Sequence, residues 1–205
     1  KPPRAVAETI VRNIQDPAAI LADVTIAGPG FINFRFAPSY WWRCLADCEG
    51  AGDAYGHSRV GEGTRLQIEF VSANPTGPLH VGHARGAVTG DAIARLLAAT
   101  GHQVEREYYV NDAGNQMEML GASTYARYME LCGRPVPFPE DGYHGDYVRD
   151  VAAALRDAEG DRWADAEEGA ARAHMRDHAG TMLLDAIRDD LATLAIGFDA
   201  YVSER

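Results

Sequence analysis

The sequence predicts an α/β protein, in which a parallel sheet with its helices follows a smaller α+β domain. Residues 66–70 alternate apolar and polar side chains, which is the period of a strand, and residues 84–97 repeat apolar side chains at helical spacing. Residues 103–110 supply a second strand, and such a strand–helix–strand unit forms a parallel pair with a right-handed crossover. Five glycines within residues 50–63 mark a linker in front of this unit.

The residues before the linker predict the small α+β domain, which we assign to 1–50. A helix is expected at residues 4–14 and two strands at 21–27 and 31–36, joined by Gly-Pro-Gly in a hairpin-type turn. A second helix is expected from Pro38 to about Cys48. We expect its bulky side chains to pack in a core, with stacking on RNA bases as the alternative: Tyr40, Trp41, Trp42 and Leu45.

After the linker, 51–63, residues 64–205 predict one α/β domain. The helix that follows its first strand is expected to be largely buried, because apolar side chains recur every four residues: Ala84, Val88, Ala92 and Leu96. Gly101 is expected to end this helix, since glycine readily adopts the left-handed conformation found there.

The second half of that domain predicts three helices, at about 115–132, 147–158 and 164–195, and a strand at 198–202. The last helix is expected to turn one stripe inward, formed by Met175, Ala179, Met182, Ala186 and Ile187. Asp112 has two interpretations. It either caps the helix that follows it or contacts a ligand at the carboxyl ends of the strands.

The segment Glu69–Arg85 connects the first strand to its helix and carries His-Val-Gly-His. A helix N-terminus has unpaired N–H groups and attracts phosphate. His80 and His83 are three residues apart and therefore share one face of the first turn. Gly82 has no side chain, so a base or ribose can approach the backbone. Two imidazole donors there would stabilise charge on an α-phosphate under attack.

Glu69 and Asn74 lie at the strand end and in the turn, where an amine or guanidinium could be bound. Taken alone, two helical histidines are more often solvated or structural than part of a binding site. A zinc site is poorly supported, because two histidines at this spacing have no Cys or carboxylate partner nearby. We therefore predict no metal ligand set.

Four segments resemble arginyl-tRNA synthetases, a family of class I aminoacyl-tRNA synthetases. Glu69–His83 (EFVSANPTGPLHVGH) is similar to their HIGH-type signature, and Tyr108–Gln116 (YYVNDAGNQ) resembles the segment that follows in bacterial members. Ala27–Phe34 is similar to the end of their amino-terminal domain, and Phe198–Glu204 to a later strand. The four segments occur in the expected order along nearly the whole chain.

The resemblance implies a Rossmann-like nucleotide-binding domain with a helical insertion at about 114–196, preceded by the remainder of a domain that contacts tRNA. It implies activation of L-arginine with ATP, accompanied by Mg²⁺, and transfer to tRNA(Arg). His80 and His83 would be catalytic. ATP would contact His80, Gly82 and His83, and arginine would contact Glu69, Ser72, Asn74 and His83.

The composition fits a globular protein of 205 residues with 46% hydrophobic side chains. No apolar run has the length of a membrane span, and three cysteines without a CxxC pair favour a reducing cytoplasm. A monomer is expected. The net charge of −11, of which residues 121–205 carry −8 from nine basic and seventeen acidic groups, argues against general nucleic-acid binding. Only the resemblance implies an RNA partner.

The chain begins at Lys1 rather than Met, and Lys1 is its only lysine. The lysine-containing second signature of class I synthetases is therefore absent from these residues. We expect a fragment that folds but is inactive alone. Two alternatives are a small nucleotidylyltransferase with the same His-x-Gly-His helix and a non-catalytic fragment that binds RNA or a partner. A downstream Lys-Ser loop and helical domain would favour the synthetase.

Overall fold

The computed structural model describes residues 2–205, which divide into two compact units. The first unit ends at His57, and the second is Ser58–Arg205. In chain order the elements are α1 (Pro3–Arg12), β1 (Leu21–Ala27), β2 (Phe31–Phe36), α2 (Pro38–Ala51), β3 (Arg65–Glu69), α3 (Val81–Ala99), β4 (Gln103–Val110), α4 (Gly114–Leu131), α5 (Asp146–Glu159), α6 (Glu168–Thr193) and β5 (Ala200–Ser203). These helices and strands confirm the predicted types and order.

The first unit is an antiparallel hairpin of β1 and β2 with α1 packed against it. The hairpin turn needs glycine at Gly30, where φ is +145° and a Cβ would lie 2.8 Å from the Pro3 carbonyl carbon. Arg4 donates a hydrogen bond of 3.0 Å to the carbonyl of Gly28. The start of α1 is therefore fixed on this turn.

The prediction that α2 packs its bulky side chains in a core is wrong for three of them. Trp41 is 54% exposed, Trp42 71% and Leu45 61%, and α2 has no buried residue. Tyr40 stacks on Phe36 with ring centroids 4.8 Å apart. A two-stranded hairpin offers too little surface to cover two helices, so most of α2 remains open in this unit.

The second unit contains a parallel sheet of order β3-β4-β5. One face is covered by α3 and the end of α6, and its core contains Phe70, Tyr108, Ile187 and Leu191. The opposite face is polar and exposed, although parallel sheets are usually covered on both faces. Its exposed side chains include Arg65, Gln67, Glu69, Gln103 and Glu105.

The prediction that α3 is largely buried is wrong, although the helix itself and its end at Gly101 are confirmed. Val88 and Leu96 are 55% and 67% exposed, and Ala92 is also exposed. The buried face consists of small residues, namely Ala87, Gly90, Asp91 and Ala94. The reason is close packing, because a Cβ on Gly90 would lie 2.3 Å from Cγ of Phe70. Bulky side chains must therefore point away from the sheet.

The helix α6 starts later than predicted and buries three of the five predicted residues, Met175, Ala179 and Ile187. Glu167 accepts hydrogen bonds from the N–H groups of residues 169 and 170, and this cap begins the helix at Glu168. Met182 and Ala186 are exposed, contrary to prediction. The buried stripe is Ala171, Met175, Ala179, Leu183, Ile187 and Leu191. It packs on α4 and α5 at its start and on the sheet at its end.

Across residues 2–205, the structure contains no helix suited to crossing a membrane.

Candidate functional site

The predicted site residues lie at the carboxyl edge of the sheet, where ligands bind in folds of this type. Glu69 is the last residue of β3 and is exposed. Ser72 and Asn74 follow in a connecting turn, residues 70–80, and are half-buried. The turn leads directly into α3 at His80. The fold therefore places the end of a strand and the start of a helix on either side of one short segment.

The connecting turn begins with a strained backbone. Val71 and Ser72 have φ of 65° and 43°, a left-handed conformation that is rare for residues other than glycine and especially for β-branched ones. Such residues cost on the order of 1–3 kcal/mol each and persist only where surrounding bonds hold them. Two bonds come from β4. The Tyr109 N–H donates to Ser72 Oγ at 3.1 Å, and the Tyr108 hydroxyl donates to the Ala73 carbonyl at 2.8 Å.

Two further bonds reach the turn from the helices. The Asn74 side-chain amide donates to the Gln116 side-chain oxygen of α4, and the Tyr147 hydroxyl of α5 donates to the Thr76 carbonyl at 2.8 Å. Sequence reasoning missed these supporting side chains. They lie 42 and 71 residues from the positions they hold, so no local pattern marks them.

His80 and His83 stack at the start of α3, with ring centroids 3.8 Å apart and planes at 17°. His80 is the N-cap, and its Nδ1 accepts from the Gly82 N–H at 3.1 Å. His83 Nδ1 accepts from the His80 N–H at 3.3 Å. An accepting Nδ1 in a neutral imidazole leaves the proton on Nε2. Both rings therefore offer an Nε2–H donor from the first turn of the helix.

Burial, and after it the charge of His80, hold the pKa of His83 below its ordinary value. The folded state therefore favours neutral His83. The unfolded chain binds more protons between the two pKa values, so this contribution to stability is lost as the pH falls through that window.

We expect an NMR pH titration to place the His83 transition below that of an unfolded histidine, about 6.5. Because His80 is one cause of the shift, His80→Asn should raise the pKa of His83. The Asn side chain keeps an oxygen that can cap the helix, which limits the effect on folding. An unchanged or lower pKa in that variant would contradict the stacked arrangement.

The carboxyl edge of the sheet is acidic. Partial burial, with the carboxylates of Glu204, Asp112 and Glu69, raises the pKa of Tyr109. The capping interpretation of Asp112 is wrong, because α4 has Ala113 as its N-cap and no side-chain cap. Asp112 instead accepts hydrogen bonds from the Ser203 hydroxyl at 2.8 and 2.9 Å. Asp112 is also paired with Arg205, whose Nε lies 3.4 Å from Oδ2, so a cationic ligand would be attracted mainly by exposed Glu69.

No group of three or more His, Cys, Asp or Glu side chains is placed to hold a metal ion in the part of the chain that the structure describes. The three cysteines are free and half-buried. The polar groups at this edge are the two imidazoles, the side chains of the turn and the carboxylates.

Two family models match the chain. Residues 51–134 match "tRNA synthetases class I (R), catalytic domain", and residues 1–36 match "Arginyl tRNA synthetase N terminal domain". The arginine–tRNA ligase of Citrifermentans bemidjiense is 48% identical over 205 residues, covering all of this chain and 37% of the relative. The arginine–tRNA ligase of Desulfosudis oleivorans is 50% identical over 204 residues, covering 99% of this chain and 36% of the relative. The chain thus spans a little over a third of these relatives.

Solved structures of arginyl-tRNA synthetases are also similar to this chain. A Campylobacter jejuni protein assigned as an arginyl-tRNA synthetase superimposes with a TM-score of 0.72 at 34% identity, over 83% of this chain and 37% of that one. The Thermus thermophilus arginyl-tRNA synthetase superimposes with a TM-score of 0.58 at 23% identity, over 100% of this chain and 33% of that one. At this identity the likeness supports only the fold. Together they show a class I synthetase fold with a Rossmann-like sheet.

Proposed function

Since this chain belongs to the arginyl-tRNA synthetase family, we propose that its second unit forms the ATP- and arginine-binding part of an arginine–tRNA ligase. The observation that supports this most is the pair of Nε2–H donors at the start of α3, directly beside the strained turn after β3. In the reaction the arginine carboxylate attacks the α-phosphate of ATP and pyrophosphate leaves. The arginyl group is then transferred from the adenylate to a terminal ribose hydroxyl of tRNA, and AMP leaves.

We assign ATP to His80, Gly82 and His83. The donors would bind oxygens of the α-phosphate and stabilise the charge that develops there. Gly82 lies between the two histidines in sequence and is exposed, so it allows a close approach to the helix backbone. Mg²⁺ would accompany the triphosphate, with phosphate oxygens and water as most of its ligands.

We assign arginine to Glu69, Ser72, Asn74 and His83. The polar groups of the turn would hold the α-amino and carboxylate groups, and His83, three residues after the turn ends at His80, would contact both the arginine and the α-phosphate. The carboxylate of Glu69 would pair with the amine or the guanidinium, as the acidic edge favours.

The domain assignments stay proposals. Residues 1–50 would contact tRNA(Arg), residues 51–63 would link the domains, and the helices between about 114 and 196 would form an insertion in the catalytic domain, 64–205. The three free cysteines support a reducing cytoplasmic compartment. We propose a monomer, which light scattering would test.

The alternatives are not favoured. A small nucleotidylyltransferase or a non-catalytic RNA-binding piece does not account for arginine–tRNA ligases at 48–50% identity over essentially the whole chain. Because these relatives are more than twice as long, activity is best measured in a chimera. In this chimera, the 205 residues replace the matching stretch of the Citrifermentans bemidjiense relative. We expect the 205 residues to be inactive alone.

In the chimera, Asn74→Ala should raise the KM for arginine about 10- to 100-fold, the value of a hydrogen bond to a charged group. The KM for ATP should change much less, because the histidines are positioned by α3. Arginine-dependent ATP–pyrophosphate exchange measures both constants. Asn33→Ala, at an exposed position on β2, is the matched control. Equal effects of Asn74→Ala on both KM values would indicate a general disturbance of the turn instead.

A further inference from the structure

The connecting turn is held from two separate packed regions of the second unit. From the sheet, Tyr108 binds the Ala73 carbonyl and the Tyr109 N–H binds Ser72. The other bonds come from the helices, through Gln116 of α4 and Tyr147 of α5. The position of Asn74 relative to His80 therefore depends on both regions and on how the helices pack.

Tyr147 makes the longest of these connections in sequence, 71 residues. Its ring packs against the helical core that contains Met117, Leu120 and Val151, while its hydroxyl donates to Thr76 O at 2.8 Å. The side chain thus has its ring in one packed region and its hydroxyl on the turn.

Two glycines make room for this ring. A Cβ at Gly77, in the turn, would lie 3.2 Å from the Tyr147 hydroxyl oxygen and 3.3 Å from Cζ. A Cβ at Gly145 would lie 2.4 Å from Cε1. The ring therefore fits closely between the turn and the start of α5, and burial raises the pKa of the Tyr147 hydroxyl, which keeps it a neutral donor.

We propose that Tyr147 is a positioning residue for the amino-acid half of the site, an inference that rests on the proposed function. Thr76 is two residues after Asn74 and four before His80. Loss of the Tyr147 hydroxyl frees the Thr76 carbonyl. Because the backbone at Val71 and Ser72 is strained, the turn can then relax to a conformation of lower energy. Asn74 then shifts. The histidines stay in place because they cap the first turn of α3 themselves.

The test is Tyr147→Phe in the chimera, with both KM values measured by ATP–pyrophosphate exchange. The KM for arginine should rise about 3- to 10-fold, the value of one hydrogen bond. The KM for ATP should be unchanged. Loss of a residue that only stabilised the fold would not change the KM for arginine and the KM for ATP by different amounts.

Tyr143→Phe is the matched control. Tyr143 packs on the same helical core, and its hydroxyl makes no hydrogen bond within residues 2–205, so the control removes an equivalent oxygen without touching the turn. Gly77→Ala is a second probe, because its Cβ would lie 3.2 Å from the Tyr147 hydroxyl oxygen and press on it. It should raise the KM for arginine in the same way. Circular dichroism and thermal unfolding check that each variant folds.

Three outcomes separate this inference from the proposed function. An unsubstituted chimera without arginine-dependent exchange refutes the proposed function. An active chimera in which Tyr147→Phe behaves like Tyr143→Phe, or raises both KM values equally, overturns only the role of Tyr147. The side-chain amide resonance of Asn74 in the 205-residue chain tests that role without activity. It should shift in Tyr147→Phe and not in Tyr143→Phe, and an unmoved resonance contradicts the inference.

Discussion

Replacing His83 with alanine is expected to slow arginine-dependent exchange by the chimera about 10²–10³-fold, as the loss of one preorganised donor to a developing charge usually does. His83 offers its Nε2–H because its Nδ1 is occupied by the His80 N–H at 3.3 Å. The loss should fall on kcat, since the charge on the α-phosphate grows only during attack.

Two conservative variants separate the catalytic role from the structural one. His83→Gln keeps a donor near the position of Nε2, whereas His83→Asn keeps an acceptor near Nδ1 but no distal donor. If His83 acts as a donor, Gln should retain more activity than Asn. His57→Ala, at an exposed position, is the control for loss of an imidazole. Equal activity of the Gln and Asn variants would indicate that His83 only caps the helix.

Changing Gly82 to valine is expected to abolish measurable ATP binding while the chain remains folded. A Cβ at this position would lie 2.8 Å from Cε1 of His80 and 3.0 Å from its Nδ1. The valine would displace the His80 ring and cover the backbone that the nucleotide approaches. The helical backbone itself accepts valine, because Gly82 has no positive φ.

Gly86→Val is the matched control. Gly86 lies four residues further along α3, and a Cβ there would meet nothing within 4 Å. It carries the same helix-propensity cost of a β-branched side chain. Calorimetric titration with ATP should show binding in Gly86→Val and none in Gly82→Val. ATP binding of similar strength in both variants would show that the nucleotide does not bind at the start of α3.

The parts that sequence predicted well have local signals. Alternation in residues 66–70 and the glycine at 101 are sufficient to place β3, the end of α3 and the strand that follows. The spacing of His80 and His83 likewise predicts that the rings share one face, and they stack. Each of these features is decided within a few residues, so its pattern is visible in one short segment.

The buried face of α3 illustrates what a local pattern leaves open. Apolar periodicity shows that a helix has an apolar side but not that this side meets the sheet. Here the short distance between helix and strand decides which face of α3 is buried. Gly90 packs on Phe70, and only small side chains fit between helix and strand. The larger residues Val88 and Leu96 are therefore exposed.

The support of the turn was not predictable for another reason. Tyr108 and Tyr147 act through hydroxyls that bind backbone carbonyls 35 and 71 residues away. A strand pattern shows that Tyr108 points inward but not what its hydroxyl meets. Such bonds depend on how β4 and α5 come together around the turn, which is a property of the tertiary structure.

Arginine-dependent ATP–pyrophosphate exchange by the chimera, with tRNA present, tests most directly whether this chain forms the ATP and arginine site. We expect exchange that requires arginine, at a rate comparable to that of the parent relative, and none from the 205 residues alone. A chimera that folds like its parent but gives no exchange, or responds to another amino acid instead of arginine, would contradict this expectation.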